Sequence, residues 1–193
     1  MTDNLSGQPL AGYRVVDLSR VLSGPFLTQM LGDLGADVIK VEAEVGDTVR
    51  TQGDQVDGFS WYFAGFNRNK RSIVLNPKTP EGKITLEALI RSADVLVENF
   101  RPGVMERLGL GPDVVFARNK KVVFGRMTGW GQDGPIAKTP GHDINYIALT
   151  GALYAIGTKE KGPVPPLNLV GDFGGGIYGP RRLPREMKLG SIR

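Results

Sequence analysis

The sequence predicts an α/β fold in which a parallel sheet carries helices on its faces. Short apolar, β-branched runs alternate along the chain with segments whose apolar residues recur at helical spacing. Strands that alternate with helices favour parallel pairing. Polar or glycine-rich turns follow the strand-like runs. Because α/β folds bind ligands at the carboxyl ends of their strands, these turns are where a functional site is expected.

Five runs have the β-branched and apolar composition of strands. Their positions are 13–19, 37–43, 71–76, 94–100 and 121–130. Segment 51–70 has a different character, because it is long, aromatic and basic at its end. It is predicted to be a functional or interfacial loop.

Three helices are predicted from their start signals. Ser23 and Thr79 are suited to cap the helices that follow them, and Pro102 is suited to the beginning of a third. Gly35 is expected to end the first helix in the left-handed conformation. The apolar segment 145–157 is predicted to be a buried helix.

The composition argues against several classes of protein. The 193 residues include no cysteine and a single histidine, so neither a disulfide framework nor a metal site is expected. No apolar stretch approaches the roughly 20 residues of a membrane span. The polar N-terminus lacks the apolar region of a signal peptide. A cytoplasmic protein with a flexible N-terminal segment, residues 1–9, is expected.

The net charge of +4 belongs to one end of the chain. Residues 177–193 hold five basic residues and one acidic residue, whereas the other 176 residues hold 19 of each. A body of balanced charge lacks the electrostatic footprint of a nucleic-acid-binding protein. Nucleic acid is therefore not expected as a partner.

Six motifs, taken in order, carry a resemblance to a known family. They read LGDLGADVIKVEAEVGD, NRNKRSIVLNPKTPEGK, ADVLVENFRPGVMERLGLG, GWGQDGP, GHDINY and LNLVGDFGGG. Over residues 10–176 the chain resembles the class III CoA-transferase family (CaiB/BaiF type), and within it the α-methylacyl-CoA racemase branch. The resemblance implies a CoA-binding large domain with a Rossmann-like sheet, an acyl-CoA thioester as substrate, no separate cofactor, and an interlocked homodimer.

The resemblance also implies two catalytic residues. In the transferases of the family, an aspartate at the position of Asp172 forms a mixed anhydride with the acyl group. The racemases keep this aspartate and add a histidine in the motif GHDINY, which is His142 here. The histidine favours an acyl-CoA racemase, and a CoA transferase with Asp172 as nucleophile is the alternative. A helix cap or a packing role stays open for either residue.

Thioester chemistry is compatible with this pair. A thioester carbonyl acidifies the α-carbon, and inversion of that centre needs a base on one face and an acid on the other. Histidine titrates near neutral pH, and a carboxyl whose pKa is raised by burial can donate a proton. The glycines after Asp172 are expected to let backbone N–H groups approach the ligand and stabilise an enolate oxygen.

The resemblance implies a set of residues that bind CoA and the thioester. They are Leu75, Lys78, Asn99, Phe100, Arg101, Arg107, Gly141, Asp143 and Tyr146. The phosphates of CoA need cations, and Arg68, Lys70 and Arg71 are further candidates for this role.

Two members of that set, Asp143 and Tyr146, lie beside His142 in the motif GHDINY. Both are expected to orient the histidine or the thioester. Their positions are equally compatible with structural roles, in which Asp143 or Asn145 caps the following helix and Tyr146 packs in the core.

The sequence departs from the family after Gly176. Family members continue there with a long apolar helix and a second half of the fold, whereas Pro180 and Pro184 would break a helix in this chain. Segment 177–193 is therefore expected to be a divergent basic tail, and the chain is expected to be truncated. An inactive fragment with exposed apolar surface and marginal stability is a further alternative.

Overall fold

A computed structural model describes residues 7–178, and its centre is a parallel sheet of five strands. The strands in chain order are β1 (Arg14–Asp17), β2 (Asp37–Glu42), β3 (Gln55–Val56), β4 (Phe59–Ser60), β5 (Lys70–Val74), β6 (Val95–Glu98), β7 (Val123–Arg126), β8 (Gly157–Thr158) and β9 (Gly162–Pro163). The main sheet has the order β5-β2-β1-β6-β7, and all its pairings are parallel. The α/β prediction with a Rossmann-like sheet is confirmed.

Helices flank the sheet and follow its strands. They are α1 (Ser23–Asp33), α2 (Trp61–Asn67), α3 (Pro80–Arg91), α4 (Val104–Arg107), α5 (Pro112–Arg118), α6 (Asp143–Leu149), α7 (Ala152–Ala155) and α8, which runs over 170–178 to the last described residue. A 3-10 turn covers Thr48–Thr51. Within the part of the chain that the structure describes, no helix has the length and apolar character needed to cross a bilayer.

The core has one apolar cluster on each face of the sheet. On one face, Leu27 and Leu31 of α1 pack against inward-facing residues of the strands, such as Val38. On the other face, α3, α4 and α5 supply a second set of buried residues: Leu86, Ile90, Met105 and Val115. Successive residues of β1 serve opposite faces, because Val15 belongs to the first cluster and Val16 to the second.

Most helix ends follow the sequence signals. Thr79 Oγ1 accepts a hydrogen bond from the Gly82 N–H at 3.1 Å and caps α3 as predicted. Gly35 follows α1 with φ +100°, a conformation that favours glycine. The prediction for Pro102 was early by two residues, because Gly103 takes φ +85° and α4 begins only at Val104.

The prediction of one buried helix over 145–157 was wrong. Gly151 adopts φ +80°, which ends α6 and separates it from α7. Ile147 is buried, but other apolar residues of this segment stay in solvent, with Leu149 67% and Tyr154 84% exposed. The spacing of the apolar residues alone did not reveal that Gly151 ends the helix or that Leu149 and Tyr154 face solvent.

Segment 51–70 is not a loop, contrary to the prediction. It contains the hairpin β3–β4 and the helix α2. From α2, the Phe66 ring contacts Phe26 of α1 and Phe173 of α8, with centroid distances of 6.0 and 5.9 Å. Phe66 thus helps to pack three helices together, whereas Phe59 and Trp61 of the same segment remain 69% and 65% exposed.

Two predicted segments fall mainly outside the described residues. These are the flexible N-terminus, 1–9, of which the structure describes only 7–9, and the basic tail, 177–193, of which it describes only 177 and 178. Pro180 and Pro184 also lie outside the described residues.

Candidate active site

The carboxyl ends of β1 and β6 meet where the chain changes direction across the sheet. From β1 the chain proceeds outward to β2 and β5, and then crosses back to β6 and β7 on the other side. The Asn99 side chain bridges the two following loops, accepting from the Arg20 N–H at 2.9 Å and donating to the Arg20 carbonyl at 2.7 Å. Such a switch point is the usual ligand-binding position in an open α/β sheet.

Three cavities that share lining residues open at this edge of the sheet. The first, of about 350 Å³, is lined by both His142 and Asp172. The second, of about 220 Å³, is lined by His142 and by the loops that follow β6 and β7. The third, of about 260 Å³, lies beside Asp172 and Ser23. The two residues that were predicted to be catalytic therefore face one common space.

His142 stands at the position just before α6. Its backbone N–H donates to Asn145 Oδ1 at 2.9 Å, which caps α6 from inside the helix. The preceding backbone is held by Tyr146, whose hydroxyl donates to the Gly141 carbonyl at 2.6 Å. The Tyr146 ring also packs edge-on against Trp130 at 4.9 Å. A side chain at Gly141 would collide with both rings, so the glycine allows this close approach.

Asp172 lies half-buried in the first turn of α8. Burial raises the pKa of its carboxyl above the ordinary value, and the nearby Asp143 adds to the increase. A hydrogen bond from Ser23 Oγ at 3.1 Å and the proximity of His142 oppose the shift without reversing it. A carboxyl in this setting is better able to carry a proton near neutral pH than an exposed aspartate.

Asp143 connects the histidine motif with the aspartate motif. Its carboxylate is buried, and Oδ1 accepts hydrogen bonds from the backbone N–H groups of Gly171 at 2.6 Å and Asp172 at 3.0 Å. Both N–H groups belong to the first turn of α8 and have no acceptor within the helix, and an anion is favoured at this end of a helix. Asp143 therefore caps α8 and positions the backbone of Asp172, whereas Asn145 caps the helix that follows His142.

A buried carboxylate at the end of each of three strands shapes the loops around the site. The residues are Asp17, Glu42 and Glu98, and they accept backbone N–H groups of Ser19, Asp47 and Phe100 at 2.8, 2.9 and 2.6 Å. Each also pairs with a cation, which is Lys70, Arg50 or Arg126 respectively. Each carboxylate thus fixes a residue of the loop that follows its strand.

The pKa values of two of these carboxyls move in opposite directions. Burial tends to raise the pKa of Glu42, but hydrogen bonds from Arg50, Ser72 and Asp47 outweigh it and lower the pKa to about 2. Burial dominates at Glu98 and raises its pKa, against the hydrogen bond from Arg126.

Comparison with known proteins identifies the family. The sequence model of CoA-transferase family III matches residues 10–180. The chain belongs to CoA-transferase family III. A family member, the α-methylacyl-CoA racemase of Mus musculus, is 43% identical over 167 residues, which are 86% of this chain and 40% of the mouse protein. The human succinyl-CoA:glutarate CoA-transferase is 40% identical over 173 residues, which are 89% of this chain and 40% of that enzyme.

Solved structures agree with the assignment to family III. The crystal structure of a CAIB/BAIF family protein from Brucella suis superimposes with a TM-score of 0.90 at 35% identity, covering 94% of this chain and 50% of that one. The chain spans about 40% of the length of the two curated relatives it matches. Since those relatives include both a racemase and a transferase, membership of family III leaves the reaction to be argued from the site.

The family resemblance also predicted the residues that bind CoA, and the structure brings only part of that set together. Five of them line the second cavity beside His142: Asn99, Phe100, Arg101, Gly141 and Tyr146. Leu75 packs instead against the core cluster under α3. Lys78 and Arg107 are exposed and line none of the three cavities. CoA binding by Leu75, Lys78 and Arg107 stays a prediction.

The three additional phosphate candidates are engaged elsewhere. The Lys70 side chain is buried, and its ammonium group contacts Asp17 Oδ2 at 3.1 Å and the Pro25 carbonyl at 2.8 Å. Burial lowers the pKa of Lys70 to about 8 against the attraction of Asp17. Lys70 is therefore part of the framework, and its prediction as a phosphate ligand was wrong. Arg68 and Arg71 pair with Asp33 and Asp37, each at 2.6 Å, on the protein surface.

The glycine run after Asp172 has a different role from the one predicted. Gly174, Gly175 and Gly176 lie inside α8, where N–H groups from the fifth residue onward bond within the helix and are not open to a ligand. The use of glycine at 176 is packing, because a Cβ there would lie 2.7 Å from the Phe26 ring. Sequence reasoning could not separate an open glycine loop from a closely packed helix.

Several residues of the site escaped prediction. Tyr62 of α2 lines the first cavity. It escaped prediction because its segment was taken for a loop. Val21 and Leu22 line it from the turn after β1, which the sequence had marked as a place to look. Ser23 was expected to cap α1, but α1 has no side-chain cap and the Ser23 hydroxyl bonds to Asp172 instead.

Proposed function

We propose that the chain carries the proton-transfer site of an acyl-CoA racemase or epimerase, which inverts the α-carbon of 2-methylacyl-CoA thioesters. The observation on which this rests is that His142 and Asp172 line one cavity at the switch point of the sheet. One of the two groups removes the α-proton, and the electron pair moves onto the carbonyl oxygen to form an enolate. The other group delivers a proton to the opposite face.

The environment of Asp172 is compatible with this division of work. Burial and the neighbouring Asp143 raise the pKa of its carboxyl, which makes the group better able to carry a proton than an exposed aspartate. Proton exchange at carbon changes no oxidation state, so the reaction needs no cofactor besides the CoA that belongs to the substrate.

The lining of the first cavity favours an apolar acyl group. Among the described residues, no lysine or arginine lines it. Its wall is formed mainly by apolar side chains: Val21, Leu22, Ile144, Ile147, Pro165, Pro166 and Leu169. A dicarboxylic acyl group would place a second carboxylate there without a partner, and burying an unpaired charge is costly.

CoA transfer is the second candidate reaction. It is favoured by the 40% identity to the human succinyl-CoA:glutarate CoA-transferase. In this reaction Asp172 would attack the thioester carbonyl, form a mixed anhydride with the acyl group and release CoA as its thiolate. The acceptor carboxylate would attack the acyl carbonyl of that anhydride and free Asp172. The thiolate would then attack the acceptor carbonyl of the new anhydride, which forms the acceptor thioester and releases the original carboxylic acid. The placement of His142 against the same cavity supports the racemase over this alternative, because nucleophilic attack by a carboxylate does not require an additional base.

The expected partner is a second copy of the chain. Large apolar side chains that remain exposed are concentrated toward the end of the described residues: Leu149, Tyr154, Val164, Leu167, Val170 and Tyr178. Clustered exposed apolar residues are typical of contact surfaces. This supports the homodimer that the family resemblance implies.

Incubation in D₂O distinguishes the two reactions. The chain is mixed with one enantiomer of a 2-methylacyl-CoA, with and without a free carboxylic acid, and products are analysed by mass spectrometry and chiral separation. A racemase incorporates deuterium at the α-carbon and forms the other enantiomer without an acceptor. Transfer of CoA to the added acid, with no α-deuteration, would instead establish the transferase.

A further inference from the structure

Val21 adopts a backbone conformation that its side chain disfavours. Its φ is +71°, in the left-handed region, where a β-branched residue is a genuine outlier. Among the described residues, only Asp57 and Asn69 share a positive φ without being glycine. Aspartate and asparagine tolerate this region much better than valine. The strain at Val21 must therefore be imposed by its surroundings.

Hydrogen bonds with three side chains hold the backbone of Val21 and of the two residues that precede it. Lys40 Nζ donates to the Ser19 carbonyl at 2.9 Å, and the Asn99 amide holds both backbone groups of Arg20. The Val21 N–H itself donates to the Asp47 carboxylate at 3.3 Å.

The anchors are themselves rigid. Lys40 and Asp47 form a buried ion pair of 3.0 Å, with both side chains almost fully inaccessible. Lys40 belongs to β2, Asp47 to the turn after it, and Asn99 to the loop after β6. Strained residues that the surrounding structure over-determines in this way cluster at functional sites.

The strained residue faces the proposed reaction space. Val21 lines the cavity that holds His142 and Asp172, and the residue is 43% exposed. Ile144 and Leu169 line the same cavity.

We infer that Val21 is a specificity-determining residue whose side chain limits the size of the substituent on the α-carbon of the bound thioester. This inference rests on the proposed function, because it assumes that the acyl group enters the cavity of His142 and Asp172. The clamp of Lys40, Asp47 and Asn99 keeps the isopropyl group of Val21 in the path of that substituent. A wider substituent would have to displace the isopropyl group of Val21, whose backbone these hydrogen bonds hold in place.

Two substitutions separate the effect of the Val21 side chain on the cavity from the effect of its unfavourable backbone conformation. Val21→Ala removes the branched methyl groups but retains the Cβ that makes a positive φ unfavourable, whereas Val21→Gly removes both. Asp57→Gly is the matched control, since it relieves a positive φ of +50° in the exposed hairpin turn, away from the cavity.

The measurement is the ratio of dissociation constants for 2-ethylacyl-CoA and 2-methylacyl-CoA, obtained by calorimetry on the full chain. One methylene in an apolar pocket changes discrimination about 10-fold. Val21→Ala and Val21→Gly should both lower the ratio by about that factor, and only Val21→Gly should also raise the melting temperature. Asp57→Gly should leave the ratio unchanged.

An unchanged ratio in both Val21 variants would overturn the inference, as would an equal change in Asp57→Gly or a wild-type chain that binds neither thioester. If α-deuteration is absent but the ratio shifts as expected, the racemase reaction fails and the specificity role of Val21 stands.

Discussion

At Asp172, burial and hydrogen bonding act on the pKa in opposite directions. The Ser23 hydroxyl bonds to the carboxylate at 3.1 Å and favours its charged form. Ser23→Ala should therefore raise the pKa of Asp172 further. A carboxylate that acts as a base must be deprotonated, so the acidic limb of the rate of α-deuteration should move to higher pH. Ser23→Thr keeps the hydroxyl and should leave the limb near its wild-type position, whereas a shift to lower pH in Ser23→Ala would contradict the account.

The raised pKa of Asp172 also links the stability of the fold to pH. The folded chain binds the proton at Asp172 more readily than the unfolded chain does, so stability is lost as pH rises from the ordinary pKa of aspartate through the folded pKa. Asp172→Asn removes this cost. The free energy of unfolding of the variant should exceed that of the wild type at neutral pH, and the difference should vanish as pH falls below the ordinary pKa of aspartate. Urea unfolding across this range tests the sign, and a variant that is less stable at neutral pH would refute it.

Among the helices, α6 and α8 are connected by the Asp143 side chain. Asp143 accepts the backbone N–H groups of Gly171 and Asp172, so Asp143→Ala should leave two donors unpaired at the start of α8. The expected loss is about 1–2 kcal/mol of unfolding free energy. The racemisation rate should fall by more than this loss of folded protein explains, because Asp172 moves with its backbone.

Two variants serve as controls for the coupling. Asp143→Asn keeps one acceptor oxygen and should retain most of the stability. Thr79→Ala removes the cap of α3, which lines none of the three cavities, and should lower stability without the additional loss of rate. If Asp143→Ala behaved like Thr79→Ala in both measurements, Asp143 would have no positioning role.

For the whole molecule, the periodic pattern of the sequence was sufficient to predict the sheet. Each of the five main strands lies within a predicted run or within one residue of it, because short apolar runs between polar turns leave few alternatives. The helices around 51–70 and 145–157 were not predicted correctly. Their apolar residues depend on contacts with distant segments, such as Phe66 with Phe173, that spacing along the chain does not encode.

The sequence predicted those residues of the candidate site that belong to a recognisable motif. It did not predict the roles that depend on contacts with distant segments. His142 and Asp172 came from the family resemblance, and the structure places both against one cavity. The buried position of Lys70 and the capping of α8 by Asp143 depend on residues distant in sequence. No local sequence pattern indicates such contacts, because a lysine in a buried ion pair and a lysine on the surface can have the same neighbours along the chain.

The exposed apolar surface near the end of the described residues should cause self-association. Tyr154→Ser combined with Leu167→Ser should weaken it at least about 10-fold, since burial of one large apolar side chain contributes about 1.5–3 kcal/mol. Sedimentation over a range of concentrations measures the effect. Val45 is 89% exposed in the turn after β2, and Val45→Ser should have no effect. A wild-type chain that stays monomeric at high concentration would argue against a contact surface there.

The two-base assignment is tested most directly by α-deuteration of each enantiomer separately, with His142→Ala and Asp172→Ala beside the wild type. If the two groups serve opposite faces, each variant should lose racemisation by about 10²-fold or more. Each should retain exchange only from the enantiomer whose proton faces the remaining base, so the two variants should show opposite preferences. Full racemisation in either variant, or the same residual preference in both, would contradict the assignment of His142 and Asp172 to the two faces of the enolate.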